Sequence, residues 1–214
     1  MESYRAGIIG CGFIGAKAPD SHAQAYIDCD RTALVALCEK KDIFNSEYRH
    51  YMDKVKREHL DIVSVCTPVE THCKIVCDIA PYVKAIYCEK PMAVDLTECD
   101  KMIHACAKND TILQINHQRR FVKPLFRFSR DMIDTGTHVF DWLNQHHIDV
   151  DIEYVHKQEH IFELVITRER MILAGVNYLV DCLDTGLDTI SSGFEGKAAL
   201  RLALEFKENY ERDN

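Results

Sequence analysis

Three glycines near the start of the chain have the spacing that binds a dinucleotide. A short apolar run ends in Gly10, Gly12 and Gly15, within the stretch Y-R-A-G-I-I-G-C-G-F-I-G. Where a strand turns into a helix, the first glycine permits the tight turn and the second lets the backbone approach a pyrophosphate. The third lets the helix pack near the strand. The N–H groups and the positive dipole end of that helix would meet the phosphates, with Phe13 and Ile14 in the turn.

An acidic residue after the next apolar segment supports the same interpretation. The segment Ala33–Cys38 predicts a second strand, and it is followed by Glu39, 24 residues after Gly15. A carboxylate at this place accepts hydrogen bonds from the adenosine ribose of NAD and repels the 2′-phosphate of NADP. Lys40 and Lys41 could receive that phosphate, so we predict NAD and leave NADP open. An ordinary strand–turn–helix junction with a surface glutamate is the alternative.

Length and charge narrow the class of protein. The 214 residues suit one dinucleotide-binding domain and a small second unit, and the net charge is −8. This charge disfavours nucleic acid or an anionic membrane as the main partner, so we expect a small molecule. The sequence contains no apolar run long enough to span a bilayer and no signal-peptide core at its start. We therefore expect a cytoplasmic protein.

The ten cysteines indicate reduced thiols in the core. No C-x-x-C pair occurs, and most of the cysteines fall within predicted buried strands or helices. Cys73 and Cys77 share a helix face with His72 nearby, which leaves a metal site as the alternative. We expect no metal.

Short β-branched runs alternate with amphipathic segments over the first half of the chain. We predict strands at Tyr4–Gly10, Ala33–Cys38, Asp61–Cys66, Ala85–Glu89 and Thr111–Asn116. We predict helices at Gly12–Asp28, Asp42–Arg57, Glu70–Ala80 and Asp95–Lys108. This order predicts an α/β fold of the Rossmann type, a doubly wound parallel sheet with right-handed crossovers, over residues 1–118.

Residues 119–214 predict a smaller α+β domain with a reduced antiparallel sheet, for substrate binding or oligomerisation. Its predicted elements are a polar crossover Arg119–Asp131, a helix Asp134–His147, candidate strands Ile148–His156, Ile161–Thr167 and Arg170–Leu173, and closing helices Val176–Thr185 and Phe194–Glu211. In doubly wound sheets, ligands bind beyond the carboxyl ends of the strands. The residues of chemical interest at those ends are Gly10–Gly15, Glu39, Thr67, Pro68, Glu89, Lys90, Pro91 and Asn116–Arg120.

Five motifs follow one another along the chain in a recognisable order. They are G-C-G-F-I-G, V-S-V-C-T-P-V-E-T-H, Y-C-E-K-P-M-A-V-D-L, N-H-Q-R-R-F-V-K-P and D-T-G-T-H-V-F-D-W-L. Over roughly residues 4–147 their order and spacing resemble the glucose–fructose oxidoreductase / inositol dehydrogenase / MocA family, as does the tail Val176–Tyr210. The resemblance implies NAD(P)-dependent oxidation or reduction of a hydroxyl or carbonyl in a sugar, cyclitol or nucleotide sugar.

The resemblance implies that Lys90 is the active-site lysine and that Asp134 and His138 complete the catalytic site. The chemistry agrees, because a neutral imidazole accepts the proton of an alcohol as hydride leaves, and an ammonium stabilises the developing alkoxide. If Asp134 caps its helix, the helix dipole favours an uncharged His138. The alternatives are that Asp134 is only a helix cap, that Asp134 and His138 lie on a solvated helix face, and that Lys90 is a surface lysine.

The cofactor and substrate sites complete this prediction. The candidate cofactor-binding residues are Gly10, Gly12, Phe13, Ile14, Gly15, Glu39, Lys40, Thr67, Pro68, His72, Glu89 and Lys90. Of these, the resemblance implies that Thr67, Pro68 and Glu89 border the nicotinamide and its ribose. The candidate substrate-binding residues are Asn116, Arg119, Asp134 and His138. A solvated loop arginine is the alternative for Arg119.

One part of the family pattern is missing from this chain. Family members carry a substantial segment between the arginine-rich turn and the Asp-x-x-x-His helix, whereas here Phe121 lies only 13 residues before Asp134. The region after His147 is also too short for the usual broad sheet, which walls the substrate pocket and forms subunit contacts. We therefore expect a more open pocket, or one closed by another subunit in a homo-oligomer.

Three functions are compatible with these motifs. A hydride-transferring oxidoreductase is the leading interpretation, because the proposed site residues survive the shortening. A lyase or glycosidase that uses bound NAD transiently follows the same chemical logic. A non-catalytic NAD-binding sensor or partner protein is the third, and the missing sheet favours it.

Overall fold

The chain contains two compact units, of which the first is built from two separate pieces of sequence. The computed structural model describes residues 3–39, 51–121, 126–128, 151–155, 161–165 and 170–213. The first unit comprises residues 1–118 together with residues 171–214, and the second comprises residues 119–170. The predicted second domain, residues 119–214, is therefore divided, because the closing helices belong to the first unit.

The first unit is a parallel sheet covered by helices. Its strands are β1 Tyr4–Ile9, β2 Thr32–Cys38, β3 Ile62–Val65, β4 Ala85–Cys88 and β5 Ile112–Ile115. Its α-helices are α1 His22–Asp28, α2 Tyr51–Glu58, α3 His72–Ile79, α4 Leu96–Lys108, α5 Met171–Thr185 and α6 Gly193–Asp213. Short 3-10 turns cover Val69–Thr71, Ala80–Tyr82 and Gln118–Phe121. The strand order β2-β1-β3-β4-β5, parallel at every pairing, confirms the Rossmann-type fold.

The middle of the sheet forms the core of the first unit. Every residue of β3 and β4 is buried, as expected for strands with layers packed on both faces. Each fully buried Ile or Val side chain contributes about 1.5–3 kcal/mol to folding by leaving water. Because this core fixes the register of the strands, their carboxyl ends lie side by side along one edge.

The predicted helix Gly12–Asp28 is wrong in its middle. A π-helical turn covers Phe13–Lys17, the backbone then becomes extended at Ala18, and α1 begins only at His22. Pro19 is the cause, because proline disfavours helical geometry at the preceding residue and lacks an N–H donor. The oxygen of Ser21 accepts a hydrogen bond from Gln24 N–H at 3.2 Å and so caps α1.

The predicted strand Arg170–Leu173 is also wrong, since Met171 begins the long helix α5. The buried residues Ile172, Val176, Leu179 and Val180 follow helical spacing and face the first unit. The carboxylate of Asp20 accepts the N–H of Ile172 at 2.9 Å, which satisfies one of the unpaired donors at the helix start. Helical periodicity therefore outweighed the β-propensity of the short apolar run.

The closing segment also covers the edge strand β5. Ile115 N–H donates to Ser191 O at 2.7 Å, and the Gln114 side chain donates to the carbonyl of Gly175 at 3.0 Å. Thr189 donates its hydroxyl to the same Gln114 amide at 2.7 Å. The first of these bonds pairs a backbone donor at the edge of the sheet, and the other two hold the Gln114 side chain against the closing segment.

The second unit contains a small antiparallel sheet. Its strands are β6 Phe126–Phe128, β7 Asp151–Val155 and β8 Ile161–Val165, in the order β6-β8-β7. Strand β6 lies within the segment that we predicted as a crossover. The predicted helix Asp134–His147 lies outside the described residues. None of the described helices has the length and apolar composition needed to cross a bilayer.

Candidate functional site

The glycine turn after β1 has the geometry that the dinucleotide fingerprint requires. Gly10 has a φ of +92°, and a Cβ there would lie 2.6 Å from the carbonyl oxygen of Cys66. A Cβ on Gly15 would collide with the carbonyl oxygen of Gly10. Gly12 differs from both, because nothing lies within 4 Å of its Cβ position. Two glycines thus permit the turn itself, and the third leaves its outer side open.

Glu39 joins this turn to the end of β2. Its carboxylate accepts the N–H of Cys11 at 3.0 Å, and Gly10 N–H donates to Cys38 O at 2.9 Å. The acidic residue therefore lies beside the turn, as the ribose-binding prediction requires. Phe13, in the turn, is 72% exposed. Lys40 lies outside the described residues.

The loop after β3 carries Thr67, Pro68 and His72, and its histidine is buried. One ring nitrogen of His72 lies 2.8 Å from the carbonyl oxygen of Thr67, and the other lies 3.1 Å from that of Pro91. Each ring nitrogen of His72 thus meets a backbone carbonyl, one in its own loop and one in the segment after β4. We predicted that His72 binds the cofactor, but its buried placement favours a bridge between two loops.

Glu89 and Lys90 follow β4 and face opposite ways. The Lys90 side chain is exposed, and the Lys90–Pro91 peptide bond is cis. Glu89 is only 7% exposed, and its carboxylate accepts from His22 Nε2 at 3.0 Å, Asn116 Nδ2 at 2.6 Å and Lys90 N–H at 3.2 Å. The role of Glu89 at the border of the nicotinamide stays a prediction, and its carboxylate is held by these three donors inside the protein.

The charge of Glu89 follows from these partners. Burial raises its pKa, but the hydrogen bond and charge of His22 lower it, as do the bonds from Asn116 and the Lys90 N–H. The net effect is a pKa below the ordinary value of a glutamate, so Glu89 is a buried carboxylate at neutral pH.

Asn116, predicted as a substrate-binding residue, lies in the same buried group. Its amide nitrogen donates to Glu89 and its amide oxygen accepts the Tyr87 hydroxyl at 2.6 Å. The side chain is therefore committed to the interior, and this placement favours a supporting role over contact with substrate. The side chain of Arg119, together with Asp134 and His138, lies outside the described residues.

His22 and Ser64 were missed by reasoning from the sequence. His22 is fully buried and contacts both Ser64 Oγ, at 2.8 Å, and Glu89. One signal was available: Ser64 is a polar residue within the apolar strand β3, and a buried hydroxyl requires a partner. The identity of that partner depends on how α1 crosses the sheet, which spacing along the chain does not give.

The ten cysteines carry free thiols, and eight of them are buried. This confirms that they serve mainly as small core residues. Burial raises the pKa of Cys11 to about 11 and of Cys106 to about 12, which keeps these thiols protonated and unreactive. Within the described ranges, no three His, Cys, Asp or Glu side chains converge as metal ligands.

Several curated proteins resemble this chain in sequence. Myo-inositol 2-dehydrogenase of Thermotoga maritima is 29% identical over 140 residues, which make up 62% of this chain and 41% of that protein. D-xylose 1-dehydrogenase (NADP+) of Haloarcula marismortui is 30% identical over 142 residues, 62% of this chain and 39% of that protein. The chain thus spans about two-fifths of the length of the curated relatives that it matches.

Solved structures show the same fold. Aldose–aldose oxidoreductase from Caulobacter crescentus, crystallised with glycerol, superposes with a TM-score of 0.68 at 15% identity, covering 100% of this chain and 99% of that chain. A probable dehydrogenase from Thermotoga maritima gives a TM-score of 0.68 at 20% identity, covering 98% and 97%.

A family profile matches the part of the chain that holds the glycine turn, Glu39 and Lys90. Its description is "oxidoreductase family, NAD-binding Rossmann fold", and it aligns with residues 4–117, more than half of the chain. The chain therefore belongs to the glucose–fructose oxidoreductase / inositol dehydrogenase / MocA family of oxidoreductases with an NAD-binding Rossmann fold.

Proposed function

We propose that this protein transfers a hydride between a nicotinamide coenzyme and a CH–OH group of a sugar, cyclitol or nucleotide sugar. The observation that carries the proposal is the glycine turn, which holds Glu39 at its side and leaves Gly12 open on its outer face. The names of the relatives, an inositol and a xylose dehydrogenase, support polyhydroxylated substrates.

The residues at the turn fit the coenzyme. The backbone of Gly10–Gly15 would hold the pyrophosphate, because Gly12 has room for it where any side chain would intrude. Glu39 would hold the adenosine ribose, and its carboxylate favours NAD over NADP. When bound, the nicotinamide supplies the hydride acceptor or donor.

Side chains of the protein would act on the hydroxyl proton and on the oxygen of the substrate. Lys90 is exposed at the end of β4, where its ammonium would stabilise negative charge developing on the substrate oxygen. We propose His138 as the base that removes the hydroxyl proton, and Asp134 as the group that orients the imidazole or holds the substrate. Arg119 is proposed as a further substrate contact.

A non-catalytic NAD-binding protein is the second candidate. The chain spans only about two-fifths of the length of the curated relatives that it matches. Such a protein would bind coenzyme through the same turn without turning over a substrate.

The deciding experiment combines binding with turnover. Calorimetry with NADH and NADPH measures coenzyme affinity, and an absorbance screen across sugars, inositols and UDP-sugars measures turnover. We expect Lys90→Ala to lower turnover about 100-fold, the cost of losing one group that stabilises an oxyanion, with little change in NADH affinity. Lys101→Ala, an exposed lysine on α4, is the matched control.

Each other outcome selects a different function. Coenzyme binding without turnover on any substrate favours the non-catalytic protein. Product that forms while NADH does not accumulate indicates a lyase or glycosidase with transient oxidation. Full turnover in Lys90→Ala removes that lysine from the mechanism.

A further inference from the structure

A chain of buried polar side chains lies beneath Lys90, and nothing in the proposed chemistry uses it. We call it the His22 network; its members are His22, Tyr26, Ser64, Tyr87, Glu89 and Asn116. All six are at most 7% exposed. They come from α1, β3, β4 and the residues that follow β4 and β5, so the network joins four elements around the carboxyl ends of the central strands.

Both ring nitrogens of His22 have a buried hydrogen-bonding partner. The Glu89 carboxylate only accepts, so His22 Nε2 is the donor in their 3.0 Å contact. His22 Nδ1 lies 2.8 Å from Ser64 Oγ, and Ser64 Oγ lies 2.8 Å from the hydroxyl of Tyr26. The edge of the His22 ring also packs on Tyr87, with ring centres 4.8 Å apart. Every polar group of His22 is thus satisfied.

The two carboxylate oxygens of Glu89 accept hydrogen bonds from different partners. Oε1 accepts from His22 and Asn116 inside the protein, and Oε2 accepts the backbone N–H of Lys90. Fixing the first oxygen fixes the plane of the carboxylate, and therefore the place of the second. The position of the Lys90 main chain depends in this way on a histidine located 68 residues earlier in the sequence.

Packing alone does not account for these groups. Burying a carboxylate and an imidazole among apolar strands costs desolvation energy, and apolar residues of similar volume would fill the space at less cost. What such a network supplies in return is a defined geometry. Reactive groups need this, because a misplacement of 1 Å can cost about 100-fold in rate.

We infer that His22 is a positioning residue for Lys90, acting through Glu89. This inference rests on the proposed function in one respect, namely that Lys90 is the lysine that meets the substrate. His22 and Glu89 themselves are buried, and their link to Lys90 is the bond from its backbone N–H.

Substitution of His22 by glutamine or by asparagine distinguishes its contact with Glu89 from its contact with Ser64. The amide nitrogen of His22→Gln reaches about as far as Nε2 and can still donate to Glu89. The amide of His22→Asn reaches only about as far as Nδ1, so it keeps the Ser64 contact and loses Glu89. His104→Asn, on the exposed side of α4, is the matched control.

The first readout requires no activity. In protein labelled with 15N-lysine, the exchange rate of the Lys90 amide reports its bond to Glu89. We expect exchange about tenfold faster in His22→Asn, corresponding to about 1.4 kcal/mol of lost protection, with His22→Gln and His104→Asn close to wild type. If His22→Asn does not fold, Glu89→Gln serves, because one amide oxygen cannot hold all three donors.

The second readout is kinetic. We expect His22→Asn to lower kcat about tenfold while KM and NADH affinity change little, and His22→Gln to restore most of the loss. In a Glu89→Gln background, His22→Asn should cost little more, because both changes act through one group.

Equal behaviour of the two His22 variants, or unchanged Lys90 exchange in both His22→Asn and Glu89→Gln, would overturn the inference. Absence of coenzyme binding in the wild type would instead reject the proposed function, while the amide exchange still decides the role of His22.

Discussion

Lys54 places an amine inside the first unit, next to the end of β1 that leads into the glycine turn. Its side chain is fully buried, and Nζ donates to the carbonyl oxygen of Ile8. The missing side chain of Gly7 makes room for it, since a Cβ there would lie 3.0 Å from Lys54 Cε. Burial lowers the pKa of Lys54 to about 7, although the nearby thiols of Cys38 and Cys11 oppose the shift.

This pKa predicts how stability changes with pH. Between about pH 7 and the ordinary lysine value of 10.5, the unfolded chain holds a proton that the native protein lacks. Stability should therefore rise with pH in this window, by up to about 1.4 kcal/mol per unit, and Lys54→Met should remove that slope. Urea unfolding of both proteins from pH 7 to about 9.5 measures it.

The test is the difference in unfolding free energy between wild type and Lys54→Met at each pH. The ten thiols titrate in the same range, but they are present in both proteins and cancel. Lys101→Met, at an exposed position, should parallel the wild type. Wild-type and Lys54→Met curves that run parallel would show that Lys54 is charged in the native state.

Individual site residues differed in how far the sequence could predict them. Gly10, Gly15 and Glu39 are local features, because the turn that needs them is formed by neighbouring residues and two adjacent strands. His22, Glu89 and Asn116 acquire their roles only from one another, across α1 and the ends of β4 and β5. Spacing along a chain contains no information on such a partnership, so the hydrogen bonds that hold Glu89 and Asn116 could not be predicted from the sequence.

At the scale of elements, the glycine turn between β1 and α1 contains one glycine that only coenzyme binding requires, Gly12, and one that the fold itself requires, Gly15. Gly12 has a φ of −68°, which any residue adopts, and open space around its Cβ position. Gly12→Ala should therefore leave stability unchanged and lower NADH affinity about tenfold or more, because the added methyl group meets the pyrophosphate. Gly15→Ala should also cost about 1–3 kcal/mol of stability, because its Cβ meets the Gly10 carbonyl.

Denaturant unfolding and NADH titration of the two variants test this pair, each serving as the control for the other. Equal destabilisation by both would mean that Gly12 has a role in the fold. Undiminished NADH affinity in Gly12→Ala would place the pyrophosphate elsewhere.

The bounds of strands with continuous apolar runs were predicted to within one or two residues, because burial on both faces gives β3 and β4 an unbroken apolar sequence. Prediction was wrong where one residue or the tertiary context outweighed the local pattern. Pro19 divides what periodicity alone joins into one helix. Arg170–Leu173 has strand-like residues, but the apolar stripe that continues through Val180 makes it the start of α5.

At the scale of the whole molecule, the first unit needs both of its chain segments. Helix α5 packs on α1, and α6 packs on α4 and β5. Residues 1–118 alone should therefore lack a cooperative unfolding transition. A fusion of residues 1–118 to residues 171–214 through a long Gly/Ser linker should unfold cooperatively and bind NADH.

Calorimetric melting of the two shortened chains beside the full-length protein checks this. Cooperative melting of residues 1–118 at the same temperature as the fusion would mean that the closing helices add nothing to the core. Coenzyme binding by the fusion would locate that activity in the first unit alone.

The interrupted first unit has a consequence for synthesis on the ribosome. After Gln118 emerges, the surfaces of α4 and β5 that α6 covers stay bare until residues 119–213 have been translated, roughly 5 to 20 seconds later. In that interval the nascent chain exposes an apolar flank and an open strand edge, the features that chaperones recognise. Protease sensitivity of chains stalled at Arg170 would register this vulnerability, which an uninterrupted nucleotide-binding domain does not have.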